Sequence, residues 1–231
     1  MKLLVFDCDG TLVDSQHMIV AAMHSAYARH GIEAPARERL LSIVGLSLPN
    51  AFARLGEGDS AFPVASFVAA YREAFFALRQ QELHLEPLFP GAREALDALA
   101  ARGDVVLGIA TGKSRRGVDA VLRRHGLLDR FLTIQTADDA PSKPDPGMVL
   151  AAMRETGAAP ADTVVVGDTA YDVAMARAAG AGAIGVAWGY HRPDALVAAG
   201  APVVIADFAE LMPALARFWP ASGAAGTGPA G

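Results

Sequence analysis

Six short apolar runs, at residues 3–6, 105–110, 131–134, 163–166, 183–186 and 203–205, each end in a polar or glycine-containing corner. Several are continuous rather than alternating. A strand without a polar face has nothing to offer water, so it must be covered on both sides. Helical periodicities lie between these runs, at 92–101, 114–125, 146–156, 170–179 and 207–218. Strand and helix in alternation predict an α/β fold with a doubly wound parallel sheet.

One segment breaks the rhythm. From Ser15 to about Gln81 no convincing strand occurs. Met18, Ile19, Ala22, Met23, Ala26 and Tyr27 repeat at helical spacing behind Asp14 and Ser15, which read as an N-cap pair. Phe67, Tyr71, Ala74, Phe75 and Leu78 repeat in a later helix. Such Met and aromatic stripes are helix-packing core rather than a cofactor box. The chain therefore divides into an α/β core at 1–14 and 82–219, an all-α insertion at 15–81 and a flexible Pro/Ala/Gly-rich tail at 220–231.

Composition narrows the function. Hydrophobic residues at 52% with 19% charged, over 231 residues, suit a globular chain and exclude a disordered one. A net charge of −5 argues against nucleic acid or an anionic membrane surface as the main partner. No uncharged apolar stretch approaches the ~20 residues that span a bilayer, and Asp7 halts the N-terminal apolar run before it resembles a signal peptide. The single cysteine, Cys8, allows neither an internal disulfide nor a multi-cysteine zinc site, and a cytoplasmic setting is expected.

Four of the corners carry chemistry. The first, DCDGTLVD at 7–14, sets Asp7 and Asp9 two positions apart at the carboxyl end of a strand, where open α/β sheets bind ligands. Their repulsion calls for a cation or a shared proton, and Gly10 lets the backbone turn closely around the site. A calcium loop also opens with DxDG, but Leu12 and Met18 stand where it needs glycine and glutamate. The second corner, ATG at 110–112, offers the Thr111 hydroxyl and backbone amides, Gly112 included, at a helix start that favours anions. It is not a nucleotide-binding P-loop, because Leu107 occupies the place of the first glycine. The third, SKPDP at 142–146, contributes Lys143. In the fourth, GDTAYD at 167–172, Asp168 ends a buried strand and Asp172 falls on the same face one helical turn on. Together they bring acids fit for a hard cation such as Mg2+ and a lysine, hydroxyl and amides fit for phosphate oxygens. These are the parts of a phosphoryl-transfer site.

In these four segments, their order and their spacing, the chain resembles the haloacid dehalogenase superfamily, in its phosphoglycolate-phosphatase-like branch. The resemblance extends to about Trp219. It implies a Rossmann-like core with a helical cap inserted after the first strand. It also implies Asp7 as nucleophile, Asp9 as general acid and base, and Thr111 and Lys143, with Gly10 and Gly112, as phosphate binders. Mg2+ would be held by Asp7, the carbonyl of Asp9, Asp168 and, directly or through water, Asp172. The expected activity is hydrolysis of a small phosphorylated metabolite, such as 2-phosphoglycolate, by a monomer or homodimer. A β-phosphoglucomutase-like sugar phosphomutase is the alternative; such relatives usually carry an arginine where Leu46, Ser47 and Leu48 stand, and valine where Thr11 stands. A phosphoaspartate signalling module is more remote, because it lacks an inserted cap. Cys8, between the two acids, is expected to project away from them. None of the six histidines, His17, His24, His30, His84, His125 and His191, has ligand spacing. Arg115 and Arg116 are expected to be solvated, and residues 44–48 join two cap helices where relatives carry specificity residues.

Overall fold

Residues 1–81 and 86–220 are described in the computed structural model of the protein. Strands β1 (Lys2–Phe6), β2 (Val105–Thr111), β3 (Thr133–Thr136), β4 (Thr163–Gly167), β5 (Gly182–Val186) and β6 (Val203–Ile205) form one parallel sheet in the order β3-β2-β1-β4-β5-β6. Chain direction across the sheet reverses between β1 and β4, which opens a crevice at their carboxyl ends. Phe6 pairs with Ile109 on one side and Val166 on the other, so β1, β2 and β4 end level with one another.

The period-2 alternation of β1 explains why its apolar run is continuous. Leu4 and Phe6 join a core formed with α5 (Ala92–Ala100), α6 (Arg115–Arg124) and α10 (Leu211–Leu215). Leu3 and Val5 join the opposite core with α7 (Gly147–Thr156), α8 (Ala170–Ala178) and α9 (Pro193–Ala198). Cys8 continues the parity of Leu4 and Phe6 and is buried with them.

Between β1 and β2 lie α1 (Gln16–Arg29), α2 (Arg37–Leu41), α3 (Leu48–Leu55) and α4 (Val64–Arg79), which enclose a core of their own. Phe67 is at its centre, with ring centroids 3.9 Å from His30, 4.5 Å from Phe62 and 4.8 Å from Tyr27. The two chain segments that join this cap to the sheet pair with each other. Asp14 N–H donates to the Pro87 carbonyl at 2.8 Å, and Phe89 N–H to that of Leu12 at 3.0 Å. No helix among the described residues is long and apolar enough to cross a membrane.

The structure corrects three local expectations. Ser15 makes no side-chain cap to α1; its hydroxyl is buried and turns to Asp9 instead. The third strand begins at Thr133, because a 3₁₀ turn at Leu128–Arg130 precedes it and Leu132 is left exposed. The helix expected at 207–218 is a 3₁₀ turn at Phe208–Glu210 followed by the short α10, since Pro213 is tolerated only in a first turn. Of the predicted tail only Pro220 is described, and His84 also lies outside the described residues.

Phe67→Ala removes a fully buried ring from the cap core, and the expected loss is about 3–5 kcal/mol in urea unfolding. A loss below about 1 kcal/mol would mean that the cap core does not close around this ring.

Candidate active site

Three strand ends and one loop converge at the sheet's crevice. Asp7 follows β1, Thr111 ends β2, Asp168 follows β4, and Lys143 comes from the segment between β3 and α7. Asp7, Lys143, Asp168 and Asp172 are each 1% exposed or less. One carboxylate oxygen from each of Asp7, Asp168 and Asp172 can be chosen so that all three lie within 4.8 Å of one another. Lys143 Nζ lies 2.8 Å from Asp7 Oδ1 and donates to Asp172 Oδ1 at 2.5 Å.

The other partners fix these groups. Asp172 closes a capping box with Thr169 at the start of α8, where a carboxylate is favoured by the helix dipole. Asp168 accepts from the Thr11 hydroxyl at 2.9 Å and from Tyr190 N–H at 2.9 Å. Gly10, at φ +91°, passes so close that a Cβ there would lie 2.3 Å from Asp168 Oδ2. The close turn anticipated at Gly10 is thus made against a carboxylate of another strand.

Asp7 stands apart. Its Oδ1 is paired with the Lys143 ammonium alone, and its buried Oδ2 has no hydrogen-bond partner among the described residues. Burial raises its carboxyl from 3.8 to about 6, against the pull of Lys143 and with a further push from Asp172. Burial, then Asp7 and Asp172, likewise raise Asp168 well above the carboxylate range. Three ionised acids against one ammonium leave two negative charges in a dry site. An all-oxygen donor set with that charge and an unbonded carboxylate oxygen fits a hard divalent cation.

A second polar network, charge-balanced, adjoins the first. Lys113 Nζ donates to Asp9 Oδ1 at 2.7 Å and to Glu86 Oε1 at 2.8 Å. Arg79 of the cap reaches Glu86 Oε2 at 2.7 Å, and the Ser15 hydroxyl donates to Asp9 Oδ1 at 2.5 Å. Burial alone would lower the Lys113 ammonium, but Asp9 and Glu86 overcome it and hold it charged. The Asp9 carboxylate is thereby committed to this network and lies outside the three-acid cluster.

A cavity of about 400 Å³ opens above both networks, between cap and core, and Asp7, Asp9, Thr111 and Gly112 line it. Gly112 also seats the cap. A Cβ there would fall 2.5 Å from the Gly45 carbonyl oxygen and 2.6 Å from that of Leu46. Ser47 N–H donates to the Ser142 hydroxyl at 2.8 Å, so the 44–48 loop rests on two of the motif corners.

The cluster thus unites Asp7, Lys143, Asp168 and Asp172, while Asp9, Thr111, Gly10 and Gly112 border it. Arg115 is bound to the Ile134 carbonyl and to Asp119, whereas Arg116 lines the cavity mouth 4.7 Å over the Phe76 ring. His17 is exposed and does not line the cavity. Sequence reasoning missed Ser15, Glu86, Lys113 and Tyr190. Of these, Ser15 and Lys113 each stand directly after a motif, at 7–14 and at 110–112.

Fold and site define an α/β enzyme with buried carboxylates at a topological switch point. Residues 4–186 match the family described as haloacid dehalogenase-like hydrolase. A protein named Probable phosphatase IndB from Dickeya dadantii (strain 3937) is 38% identical over 215 residues, covering 91% of each chain. A phosphoglycolate phosphatase of Rhodospirillum rubrum is 34% identical, over 91% of this chain and 89% of its own. A hydrolase from Pseudomonas syringae superposes with a TM-score of 0.82 at 29% identity, covering 94% of this chain and 99% of that one. The chain belongs to the haloacid dehalogenase-like hydrolase family and is an enzyme of its phosphatase kind.

A carboxyl whose folded value exceeds its unfolded value binds its proton more tightly when folded. Metal-free protein therefore loses stability as pH rises from about 4 to about 6, and the deficit persists above that. At roughly 1.4 kcal/mol per pH unit the deficit is about 3 kcal/mol. Asp7→Asn removes the charge, so in EDTA at pH 8 it is expected to be more stable than the parent by up to about 3 kcal/mol in urea unfolding. A less stable variant would show that the Asp7 charge is compensated within the fold.

Proposed function

We propose that the chain is a magnesium-dependent phosphatase that hydrolyses a small organic phosphate monoester through a phosphorylated Asp7. The observation that carries this reading is the Asp7 carboxylate, buried, with Oδ2 free of hydrogen bonds and lining the cavity beside Lys143. A nucleophile must keep a lone pair clear of donors, and Asp7 does.

In the first step an Asp7 oxygen attacks phosphorus. The phosphorus–oxygen bond to the alcohol breaks, and Asp9 hands its proton to the departing oxygen. In the second step Asp9 takes a proton from water, the water oxygen attacks phosphorus, and the bond to Asp7 breaks to release inorganic phosphate. Thr111 and the backbone amide at Gly112 would hold the phosphoryl oxygens, while Gly10 only shapes the turn because its N–H donates to the Val13 carbonyl at 2.9 Å, and Lys143 would soften repulsion between Asp7 and the dianion. Ser15 and Lys113 keep the Asp9 carboxylate in place between the two steps. Asp7, the Asp9 carbonyl, Asp168 and Asp172 would hold Mg2+, which when bound neutralises charge on the carboxylates and the phosphoryl oxygens.

The substrate in this reading is a small phosphorylated metabolite, with no nucleic acid or membrane involved, and the enzyme works as a monomer or homodimer. The single buried cysteine supports a cytoplasmic setting. The name of the Rhodospirillum rubrum relative makes 2-phosphoglycolate the first ester to assay.

With Mg2+ present, Asp7→Asn is expected to lower hydrolysis of 4-nitrophenyl phosphate by about 10⁴-fold or more with circular dichroism unchanged. EDTA should abolish the parent's activity and Mg2+ restore it. Turnover retained in Asp7→Asn would overturn the nucleophile assignment.

A further inference from the structure

The cavity above Asp7 is far larger than a phosphoryl group and a two-carbon acid require. At about 400 Å³ it equals about thirteen water volumes of roughly 30 Å³ each. It lies within the range of roughly 300–1,000 Å³ typical of sites for sizeable organic ligands. Its polar end is the phosphoryl end, where Asp7, Asp9 and Thr111 line it. Its cap wall carries Ile19, Met23, Leu48, Tyr71 and Phe75, with Arg72 and Arg79 of the same helix α4 beside the two aromatics.

A second acidic group on the substrate needs a cation, and the interior cations are taken. Lys143 is held by Asp7 and Asp172, Lys113 by Asp9 and Glu86, and Arg79 by Glu86. Arg72 and Arg116 line the mouth and are exposed. A carboxylate carried one carbon from the ester oxygen would face the apolar wall, and an unpaired buried charge is costly. Of the neutral polar side chains on the wall, Thr111 lies at the phosphoryl end and Ser114 accepts from Gly117 N–H. Tyr71 is buried, lines the cavity and makes no hydrogen bond among the described residues.

We infer that the enzyme selects phosphate monoesters of a bulky apolar or aromatic alcohol over esters of small hydroxy acids, with Phe75 on the specificity wall. The ring or aliphatic body packs against Phe75, Leu48 and Met23, and the Tyr71 hydroxyl meets a neutral polar atom on it. This rests on the phosphatase reading and assigns its substrate class.

The test compares alkyl esters, so that leaving-group reactivity does not decide the result. Phosphate release with Mg2+ from 2-phenylethyl phosphate, ethyl phosphate and 2-phosphoglycolate is expected to give a kcat/KM at least tenfold higher for the first than for either of the others. Phe75→Ala should cut the ratio of 2-phenylethyl to ethyl phosphate at least fivefold, mainly through KM. A parent that prefers 2-phosphoglycolate, or a ratio unmoved by Phe75→Ala, overturns the inference. Calorimetric titration with 2-phenylethylphosphonate and with phosphonoacetate reads the same preference without turnover. Tighter binding of the aryl compound supports the inference and tighter binding of phosphonoacetate overturns it. A protein inert to every ester would sink the phosphatase reading, and the titration would still decide this one.

Discussion

Asp7, Asp168 and Asp172 can be buried side by side only because Lys143 is buried with them. Each ionised carboxylate removed from water carries a desolvation cost of several kcal/mol, and one ammonium cannot offset three. The fold therefore holds a centre that its own charges leave unbalanced. Everything around it serves to keep that centre from relaxing. Strand register brings β1 and β4 to the same level, the Thr169 capping box fixes Asp172, and Tyr190 N–H and Thr11 fix Asp168. The imbalance is what fits this centre to a divalent cation, which net negative charge attracts.

The neighbouring network obeys the opposite rule. Asp9 and Glu86 face Lys113 and Arg79, and the charges cancel. Arg79 comes from the cap and Lys113 from the core, and both lie against the Phe75 ring at 5.0–5.1 Å. Cap position and the placement of the Asp9 carboxylate are consequently one structural fact. The same coupling recurs at Gly112, whose missing side chain lets the Gly45–Leu46 carbonyls settle on the second motif corner. A cap seated this way roofs the cavity over the motif corners.

Much of this was legible in the sequence, for a physical reason. Strands buried on both faces read as continuous apolar runs, and the corners after them carry their chemistry within a few residues. The alternation of Leu3 and Val5 with Leu4 and Phe6 onto two helical layers is the plain consequence of period 2. Legibility failed where a distant partner decides. Ser15 has the composition of an N-cap, yet a buried carboxylate is the stronger acceptor and takes its hydroxyl. Lys113 meets Asp9 across 104 residues and Glu86 across 27, and no local pattern encodes such a meeting. Edge strand β3 shifted because only one neighbour sets its register, and the short α9 was missed although Pro193 marks its first turn.

The cap stripe at Phe67, Tyr71 and Phe75 shows a finer limit. Helical spacing correctly assigns all three to an apolar face, and packing then divides them. Phe67 is fully enclosed by cap aromatics, whereas Tyr71 and Phe75, one and two turns further along α4, face the cavity. A stripe longer than its own core leaves apolar surface over the active site, and in water that surface has no stabilising partner. The core corners supply every charged group that the phosphoryl chemistry needs. In the substrate class inferred above, the apolar wall of the cap is the complement of what the core provides.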